Sequence, residues 1–405
     1  MYDWLQRAAR RRPDTTAIEQ DRVATSYAEL LARATARAAN VHAGERVVLP
    51  GEDALGFAVG LHGVLIGDGV AMPLDPRLGP AEREVRMETP FAPVPGTITM
   101  MFTSGTTSAA KPVYLTLENW EANAIGSALA LGFDLDERWL CTMPLAHVGG
   151  LSILLRSTLY GTTVVLQDHF DTDAVKAQLM AEDRGITLVS LVPTMLARLL
   201  DAGLSHPPTL RWVLLGGGPI PPGLVARAEA AGVPVAWTYG MTEACSQIAT
   251  FGVPLHGVDL RFVEGEIQVR GPIVSPGALA PDGWLHTGDL GKLDERGRLR
   301  VTGRQADTIV TGGENVAPAE IEAVLMEHPA VEDAGVFART DPAWGERVVA
   351  TVVLRAGQRA SQTELQAFVG TRLARFKVPK EIGFCEELPR TPSGKLLRRQ
   401  LGFTR

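Results

Sequence analysis

From Arg211 to Gly240 the chain reads Arg211-Trp-Val-Leu-Leu215-Gly-Gly-Gly218-Pro-Ile-Pro221-Pro-Gly-Leu-Val-Ala-Arg-Ala-Glu-Ala230-Ala-Gly-Val233-Pro-Val-Ala-Trp237-Thr-Tyr239-Gly240. Two short apolar runs, Arg211–Leu215 and Val233–Trp237, flank helical spacing over Pro221–Ala230, with Gly216, Gly217 and Gly218 at the first turn. Short branched runs bounded by Gly and Pro are the pattern of strands buried on both faces, and a helix between two of them is the crossover that parallel pairing requires. The pattern repeats upstream. Helical spacing covers Asn119–Leu131, Leu151–Leu159, Asp171–Glu182 with Asp171 as cap, and Pro193–Asp201. Apolar runs at Trp139–Met143, Thr162–Leu166 and Thr187–Leu191 alternate with them. From Ala54 to Gly240 the alternation predicts an α/β fold, a parallel sheet with helices on its faces.

After Thr250 the texture changes to strands punctuated by Gly, Pro and Asp: Asp259–Val263, Glu266–Arg270 and Arg298–Thr302. This reads as a β-rich subdomain. Gly303–Gly313 shows no core pattern. Then follow a helix over Pro318–Glu327, strands over Val331–Phe337 and Arg347–Leu354, and a helix over Thr363–Leu373, an α+β domain of domain-like size. The expected division is residues 1–303, with the β-rich part at 251–303, and 304–405.

Composition narrows the function classes. The 405 residues carry a formal charge of −7, which argues against a nucleic-acid binder. Cys141, Cys245 and Cys385 are too few and too scattered for a disulfide framework or a zinc site, as expected in a reducing cytoplasm. The basic N-terminus lacks the apolar core of a signal peptide, and the most apolar stretch, Ala54–Leu74, is interrupted by His62, Asp68 and Gly, so no membrane span is expected. Of 39 basic residues only six are lysines: Lys111, Lys176, Lys292, Lys377, Lys380 and Lys395.

Four stretches carry chemistry. Met101-Phe-Thr103-Ser104-Gly105-Thr106-Thr107-Ser-Ala-Ala-Lys111 offers hydroxyls, a Gly bend and a lysine, a set able to cradle phosphate oxygens. It is not a Walker A loop, since Ala110 and Pro112 flank the lysine. A polar turn between strands is the competing reading. Trp237-Thr-Tyr239-Gly240-Met-Thr242-Glu243 leaves an apolar strand, where open α/β sheets bind ligands; Tyr239 suits a purine, Thr242 a phosphate and Glu243 Mg²⁺, or the segment is a plain strand exit. Gly283-Trp-Leu-His-Thr-Gly-Asp289-Leu places Asp289 in an expected tight turn, either structural or gripping a ribose. Pro389-Arg-Thr-Pro-Ser-Gly-Lys395 precedes Arg398 and Arg399, and is either a solvated tail or a lysine loop.

In this order and spread, the four resemble the acyl- and aryl-CoA synthetase branch of the adenylate-forming superfamily, from Thr103 to Arg398. Upstream the likeness rests on Thr25-Ser-Tyr-Ala-Glu-Leu-Leu31, similar to the family's opening helix. The resemblance implies a large N-terminal domain of parallel-type sheets with helices, a β-rich subdomain and a small mobile C-terminal α+β domain. It also implies that ATP, Mg²⁺ and CoA bind. Thr103, Ser104, Gly105, Thr106, Thr107 and Lys111 would hold the ATP phosphates. Gly216, Gly217 and Gly218 would line the acyl-adenylate, Tyr239 and Gly240 the adenine, Thr242 and Glu243 the phosphate and Mg²⁺. Asp289 and Arg304 would grip the ribose, and Lys395 would bridge carboxylate and α-phosphate. Gly303–Asp307 resembles the interdomain hinge. Gly312, Gly313 and Glu314 resemble the loop that meets CoA.

Within this branch the stretch Pro144-Leu-Ala-His147-Val-Gly149-Gly-Leu-Ser-Ile-Leu-Leu-Arg156, with Tyr239–Gln247, is most similar to the o-succinylbenzoate-CoA ligases of menaquinone biosynthesis. It implies that His147, Gly149, Arg156 and Ser246 face the acyl group. Arg156 stands in an otherwise apolar helix, where a buried guanidinium without a partner costs several kcal/mol. A second carboxylate on the substrate would supply that partner; otherwise Arg156 pairs with a protein carboxylate or reaches solvent. His147 is either a pocket-wall residue or a core histidine. The chain departs from the family at Ser108, Ala110 and Pro112, where Gly, Pro and Gly are usual, and at Gly149, where this ligase commonly has Ser. It also reads as shortened before Thr97, between Thr250 and Val253 and between Gly271 and Gly283, as loop trimming would produce. The expected partners are a small carboxylic acid, ATP and CoA, with a homodimer compatible. Ligases for other aryl or fatty acids, carrier-protein loading enzymes and a non-catalytic nucleotide-binding homologue are the rival readings.

Overall fold

The computed structural model describes residues 2–51, 53–103, 111–221, 223–311, 314–342, 344–390 and 396–402. The chain opens with α1 (Trp4–Arg11), β1 (Thr16–Gln20), β2 (Val23–Ser26), α2 (Tyr27–Ala38), β3 (Arg46–Pro50), α3 (Ala54–Ile66), β4 (Val70–Leu74) and α4 (Pro80–Glu88). Next come β5 (Thr97–Phe102), β6 (Pro112–Thr116), α5 (Leu117–Leu131), β7 (Arg138–Cys141), α6 (Val148–Tyr160), β8 (Thr163–Leu166), α7 (Thr172–Met180) and β9 (Leu188–Leu191). Then follow α8 (Pro193–Asp201), β10 (Trp212–Leu215), α9 (Leu224–Ala230), β11 (Val235–Met241), β12 (Ser246–Thr250) and β13 (Val253–Pro254).

These strands build two sheets. A nine-stranded sheet runs β13-β12-β11-β10-β9-β7-β8-β1-β2, and a four-stranded sheet runs β3-β4-β5-β6. Neighbours from β11 across to β1 are parallel, as are β3, β4 and β5, while β6, β12, β13 and β2 close the edges antiparallel. The expected α/β organisation is therefore present, with antiparallel edges that the alternation did not announce. Local chemistry sets the helix starts. Ser26 caps α2 through the Glu29 amide while Glu29 reaches back to the Ser26 amide, and Asp171 caps α7 through the Ala174 amide. The expected helix to Glu182 ends at Met180 because Ala181 is extended; a 3₁₀ turn follows at Glu182–Arg184. Val233–Trp237 was expected as a strand; the observed strand starts at Val235 and runs on to Met241 because β12 pairs with it.

The segment Phe251–Gly252 joins β12 to β13 as a two-residue loop with φ of 56° and 75°, the type I′ geometry favoured by strand twist. One of the segments expected from the resemblance to be shortened lies here. Phe251 tolerates a left-handed conformation because its amide donates to the Trp237 carbonyl and its ring meets Trp212 edge-on at 5.3 Å.

The chain divides into two compact units, Met1–Gly217 with Ala228–Leu260 and Val269–Leu285, and Gly218–Arg227 with Arg261–Gln268 and His286–Arg405. The second unit holds most of a sheet of β14 (Asp259–Val263), β15 (Glu266–Arg270), β16 (Leu285–Leu293) and β17 (Leu299–Arg304). Its other sheet joins β18 (Ile309–Thr311), β19 (Glu314–Val316), β20 (Val331–Asp341), β21 (Gly345–Leu354) and β22 (Glu381–Cys385), covered by α10 (Pro318–Met326) and α11 (Gln362–Gly370). The stretch expected to lack a core pattern contains β18, whose Ile309 belongs to this unit's core; three residues are too few to show a period. No helix among the described residues is long and apolar enough to cross a membrane.

Buried polar groups in the first unit are mostly matched. The indoles of Trp120 and Trp139 donate to Thr99 and Ser190, both at 3.0 Å. His62, wholly buried on α3, meets the Tyr2 hydroxyl at 2.7 Å and Thr158 at 3.3 Å. Burial pushes its pKa down to about 4. An unfolded chain, with an imidazole pKa of about 6.5, takes up a proton where the folded protein does not. Stability contributed by His62 is therefore intact above pH 6.5 and lost as the pH falls toward 4, by about 3 kcal/mol. Urea unfolding of wild type and His62→Gln at pH 7, 5 and 4 is expected to show a steeper decline in the wild type; parallel declines would refute the assignment.

Candidate active site

The carboxyl ends of the parallel strands carry most of the residues singled out from the sequence. Phe102 ends β5 opposite Pro112 of β6, and the Thr103 amide donates to the Lys111 carbonyl at 3.2 Å. The phosphate-type segment is thereby closed at its base as a hairpin loop. Ser104, Gly105, Thr106 and Thr107 lie outside the described residues. Lys111 is exposed and forms no ion pair among the described residues.

At the end of β10 the Gly216 amide donates to the Leu191 carbonyl at 3.2 Å. A Cβ on Gly216 would stand 2.7 Å from the Thr238 methyl, and Gly217 has φ of 79°. Both glycines are required by their surroundings. Gly218 follows directly in sequence, at the start of the second unit.

Tyr239 and Gly240 lie in the second half of β11, while Thr242 and Glu243 occupy a 3₁₀ turn beyond it. Tyr239, Thr242 and Glu243 are half-buried. The β11–β12 register shifts between Tyr239 and Gly240, and the Ser246 carbonyl would stand 1.6 Å from a Cβ at Gly240. Cys245 and Ser246 reach this approach through left-handed φ values of 53° and 92°. The Tyr-Gly-Met-Thr-Glu motif is thus one bulged strand end whose glycine admits a neighbouring carbonyl.

Glu243 presents a single carboxylate, and no cluster of three or more His, Cys, Asp or Glu side chains among the described residues is arranged to hold a metal. Mg²⁺ is commonly held by one or two carboxylates plus phosphate and water. The donor set therefore fits a magnesium–nucleotide complex and not an all-protein metal centre.

His147 is the N-cap residue of α6, but its ring does not cap. Nε2 lies 3.1 Å from Asp75 Oδ2, beside Arg77. His147 is thus a partly exposed, hydrogen-bonded residue and not a core histidine. Asp75 and Arg77 were not singled out in the sequence; the signal was an acidic residue before Pro76, directly after the apolar strand β4. On α6 a Cβ at Gly150 would stand 2.4 Å from the Pro144 carbonyl, whereas at Gly149 its nearest neighbour, the Met143 methyl, is 3.6 Å away.

Arg156 is 1% exposed. One Nη donates to Asn123 Oδ1 and the guanidinium lies 5.9 Å from the Trp139 ring, while Nε and Nη1 have no partner. No carboxylate among the described residues pairs with it. Burial pulls its pKa down, with only Tyr160 and Cys245 acting in the other direction. Neither protein alternative for Arg156, a carboxylate partner or solvent, is realised among the described residues. Asn123, which also donates to the Gln247 carbonyl at 2.9 Å, was missed because a lone Asn in a helix carries no sequence signal.

In the second unit Asp289 is 6% exposed and accepts from Arg304 Nε at 2.7 Å. The two residues face each other across β16 and β17. Asp289 therefore sits within a strand instead of a tight turn, after Gly288 with φ of 66°. Glu314 is exposed at the start of β19, opposite Thr311. Gly312, Gly313 and Lys395 lie outside the described residues. Leu396 bridges back to Arg390, and Arg398 is held by Glu322 and by Asp307 at 3.1 Å.

Residues 90–278 match the family model of the AMP-binding enzymes, and residues 320–395 that of the AMP-binding enzyme C-terminal domain. The chain is 44% identical to 2-succinylbenzoate–CoA ligase of Bacillus cereus (strain Q1), over 75% of this chain and 69% of that one. The chain belongs to the AMP-binding enzyme family. Among solved structures, o-succinylbenzoate CoA synthetase (MenE) of Bacillus subtilis in complex with the acyl-adenylate intermediate OSB-AMP matches with a TM-score of 0.92 at 32% identity, covering 100% of this chain and 99% of that one. The same protein in complex with ATP and magnesium ion gives 0.90 at 33% identity, covering 98% and 99%. ATP-bound MatB of Rhodopseudomonas palustris gives 0.88 at 25% identity, covering 98% and 97%. The architecture is that of these proteins, a large sheet-and-helix N-terminal domain and a smaller C-terminal one.

Two substitutions in this AMP-binding enzyme follow from the glycine geometry. Gly240→Ala is expected to lower stability by about 1–3 kcal/mol, read by denaturant unfolding, because a backbone carbonyl occupies the Cβ position. Gly149→Ser is expected to leave the melting temperature unchanged, since the added atom has room.

Proposed function

We propose that the chain is an AMP-forming acid–thiol ligase that converts 2-succinylbenzoate, ATP and CoA into 2-succinylbenzoyl-CoA, AMP and pyrophosphate, a step of menaquinone biosynthesis. The observation that carries the substrate is Arg156, a buried guanidinium with two unpartnered nitrogens and no carboxylate partner among the described residues. A dicarboxylic acid activated at one end presents its second carboxylate as a bidentate partner. The relatives named for the same substrate support the reading.

The carboxylate of the succinyl arm attacks the ATP α-phosphorus; the bond to the bridging oxygen breaks and pyrophosphate leaves with the electron pair. Lys111 and Lys395 offset the charge that builds there, as preorganised partners do. Thr103 with Ser104, Gly105, Thr106 and Thr107 holds the phosphates, an assignment supported by the closed base of the loop. Gly216, Gly217 and Gly218 line the acyl-adenylate, Tyr239 and Gly240 the adenine, and Asp289 with Arg304 the ribose. Thr242 contacts phosphate and Glu243 would hold Mg²⁺, whose charge shields the phosphates when bound. His147, Gly149 and Ser246 face the acyl group alongside Arg156. Residues 304–405 then turn about Gly303–Asp307, bringing Gly312, Gly313 and Glu314 to CoA, and the thiolate displaces AMP from the acyl carbon. Three unpaired thiols support a reducing cytoplasm as the compartment.

Pyrophosphate release tests the substrate. Arg156→Met is expected to lower kcat/KM for 2-succinylbenzoate by about 100-fold, the cost of leaving a buried charge unpaired in the complex, and to matter little for the analogue lacking the ring carboxylate. The same variant is expected to raise the melting temperature without substrate, because an unpaired guanidinium leaves the core. Equal losses on both acids would remove Arg156 as the anchor. A protein that binds ATP but releases no pyrophosphate with any acid would favour a non-catalytic role, and turnover only with a phosphopantetheinylated carrier would favour carrier loading. Lys395→Ala is expected to slow adenylation by about 10²- to 10³-fold while sparing thioester formation from supplied acyl-AMP. Equal loss in both half-reactions would exclude that role.

A further inference from the structure

The carboxyl ends of the two sheets of the first unit are joined at one side chain. Asp75 is the first residue after β4 in the four-stranded sheet, and His147 lies beyond β7 in the nine-stranded sheet, just ahead of α6. Between them runs the 3.1 Å hydrogen bond from His147 Nε2 to Asp75 Oδ2. Asp75 is 4% exposed, and Arg77 holds its carboxylate at three points: the backbone amide and Nε donate to Oδ1 at 3.0 and 2.9 Å, and Nη2 donates to Oδ2 at 2.7 Å. Burial opposes ionisation of this carboxyl, but the hydrogen bonds from Arg77 and His147 outweigh it and hold the pKa well below the usual carboxylate range.

That charge state dictates the state of the histidine. An ionised carboxylate only accepts hydrogen bonds, so Nε2 must carry the proton it shares with Oδ2. Arg77 Nη2, 3.3 Å from Nε2, carries two N–H groups and donates one of them to Oδ2, the oxygen that Nε2 itself approaches more closely, at 3.1 Å. In its neutral form the ring therefore has its lone pair on Nδ1, which makes no hydrogen bond among the described residues. The reacting carboxylate and the phosphates are acceptors and gain nothing from such an atom. The CoA thiol is a donor.

We propose that Asp75, clamped by Arg77, is a positioning residue that holds His147 as its Nε2–H tautomer and so presents Nδ1 as hydrogen-bond acceptor for the CoA thiol. The role in turnover rests on the ligase reading given above; the tautomer does not.

Two-bond ¹⁵N–¹H spectra of ¹⁵N-histidine-labelled protein, with His147 assigned through His147→Gln, read the tautomer in the unmodified enzyme. The Nε2–H form is expected, converting to Nδ1–H in Asp75→Asn, whose amide donates where the carboxylate accepted. A wild-type Nδ1–H form would overturn the proposal without recourse to any variant. In turnover, Asp75→Asn is expected to slow thioester formation from supplied acyl-AMP by about 10-fold or more while changing adenylation less than about 3-fold. It should add nothing further in a His147→Ala background. Equal loss in the two half-reactions, or losses that multiply with His147→Ala, would show that Asp75 is merely structural. Were the enzyme to activate another acid instead of 2-succinylbenzoate, the substrate reading would fail while the same comparison, run on that acid, still decides the role of Asp75.

Discussion

A parallel pair of strands cannot be closed by a tight turn, and that constraint arranges the chemistry of the first unit. Each parallel connection has to leave the sheet, cross a face and re-enter at the same end. The segments leaving β4, β7 and β10 are therefore free of the ladder at the carboxyl ends, where Asp75, His147 and Gly216 are found, while β5 and β11 bring Thr103 and the Tyr239–Glu243 stretch to their own carboxyl ends beside antiparallel partners. Antiparallel β6 extends the arrangement by returning Lys111 to the end that Thr103 leaves. The residues are distant in sequence because the crossovers are long. They converge because the strands are parallel.

Against this scaffold the treatment of buried charge is uneven. Glu19 receives both Arg138 and Arg184, Glu137 receives Arg211, and in the other unit Arg398 is shared by Glu322 and Asp307. Those groups cross-link elements and are satisfied within the protein. Arg156 is more deeply withdrawn from water than any of these guanidinium groups, yet among the described residues it receives one amide oxygen and no carboxylate. That uncompensated charge is a cost to the fold, and the proposed second-carboxylate anchor rests on it.

Much of this was legible in the sequence, and the exceptions have physical causes. The helix Pro193–Asp201 and the strands Asp259–Val263 and Glu266–Arg270 lie where periodicity puts them, because each is bounded by Gly, Pro or a cap. The second half of β11 was not legible, since its extension past Trp237 depends on pairing with a strand that comes later. β18 is too short to carry a period. Within the site, the glycines and the Tyr-Gly-Met-Thr-Glu turn announced themselves by composition. Asp75 and Asn123 did not, because what distinguishes them is the partner that folding brings: a histidine 72 residues on for one, an arginine 33 residues on for the other.

The two-residue turn at Phe251–Gly252 does more than connect two strands. By turning at once, it leaves the nine-stranded sheet ending in a strand of two residues, the second of them Pro254, which has no N–H to offer. A long, flat outer strand would be a template for a strand from another molecule. Here the tight turn and the proline together give the sheet a blunt margin, which protects it from edge-to-edge polymerisation.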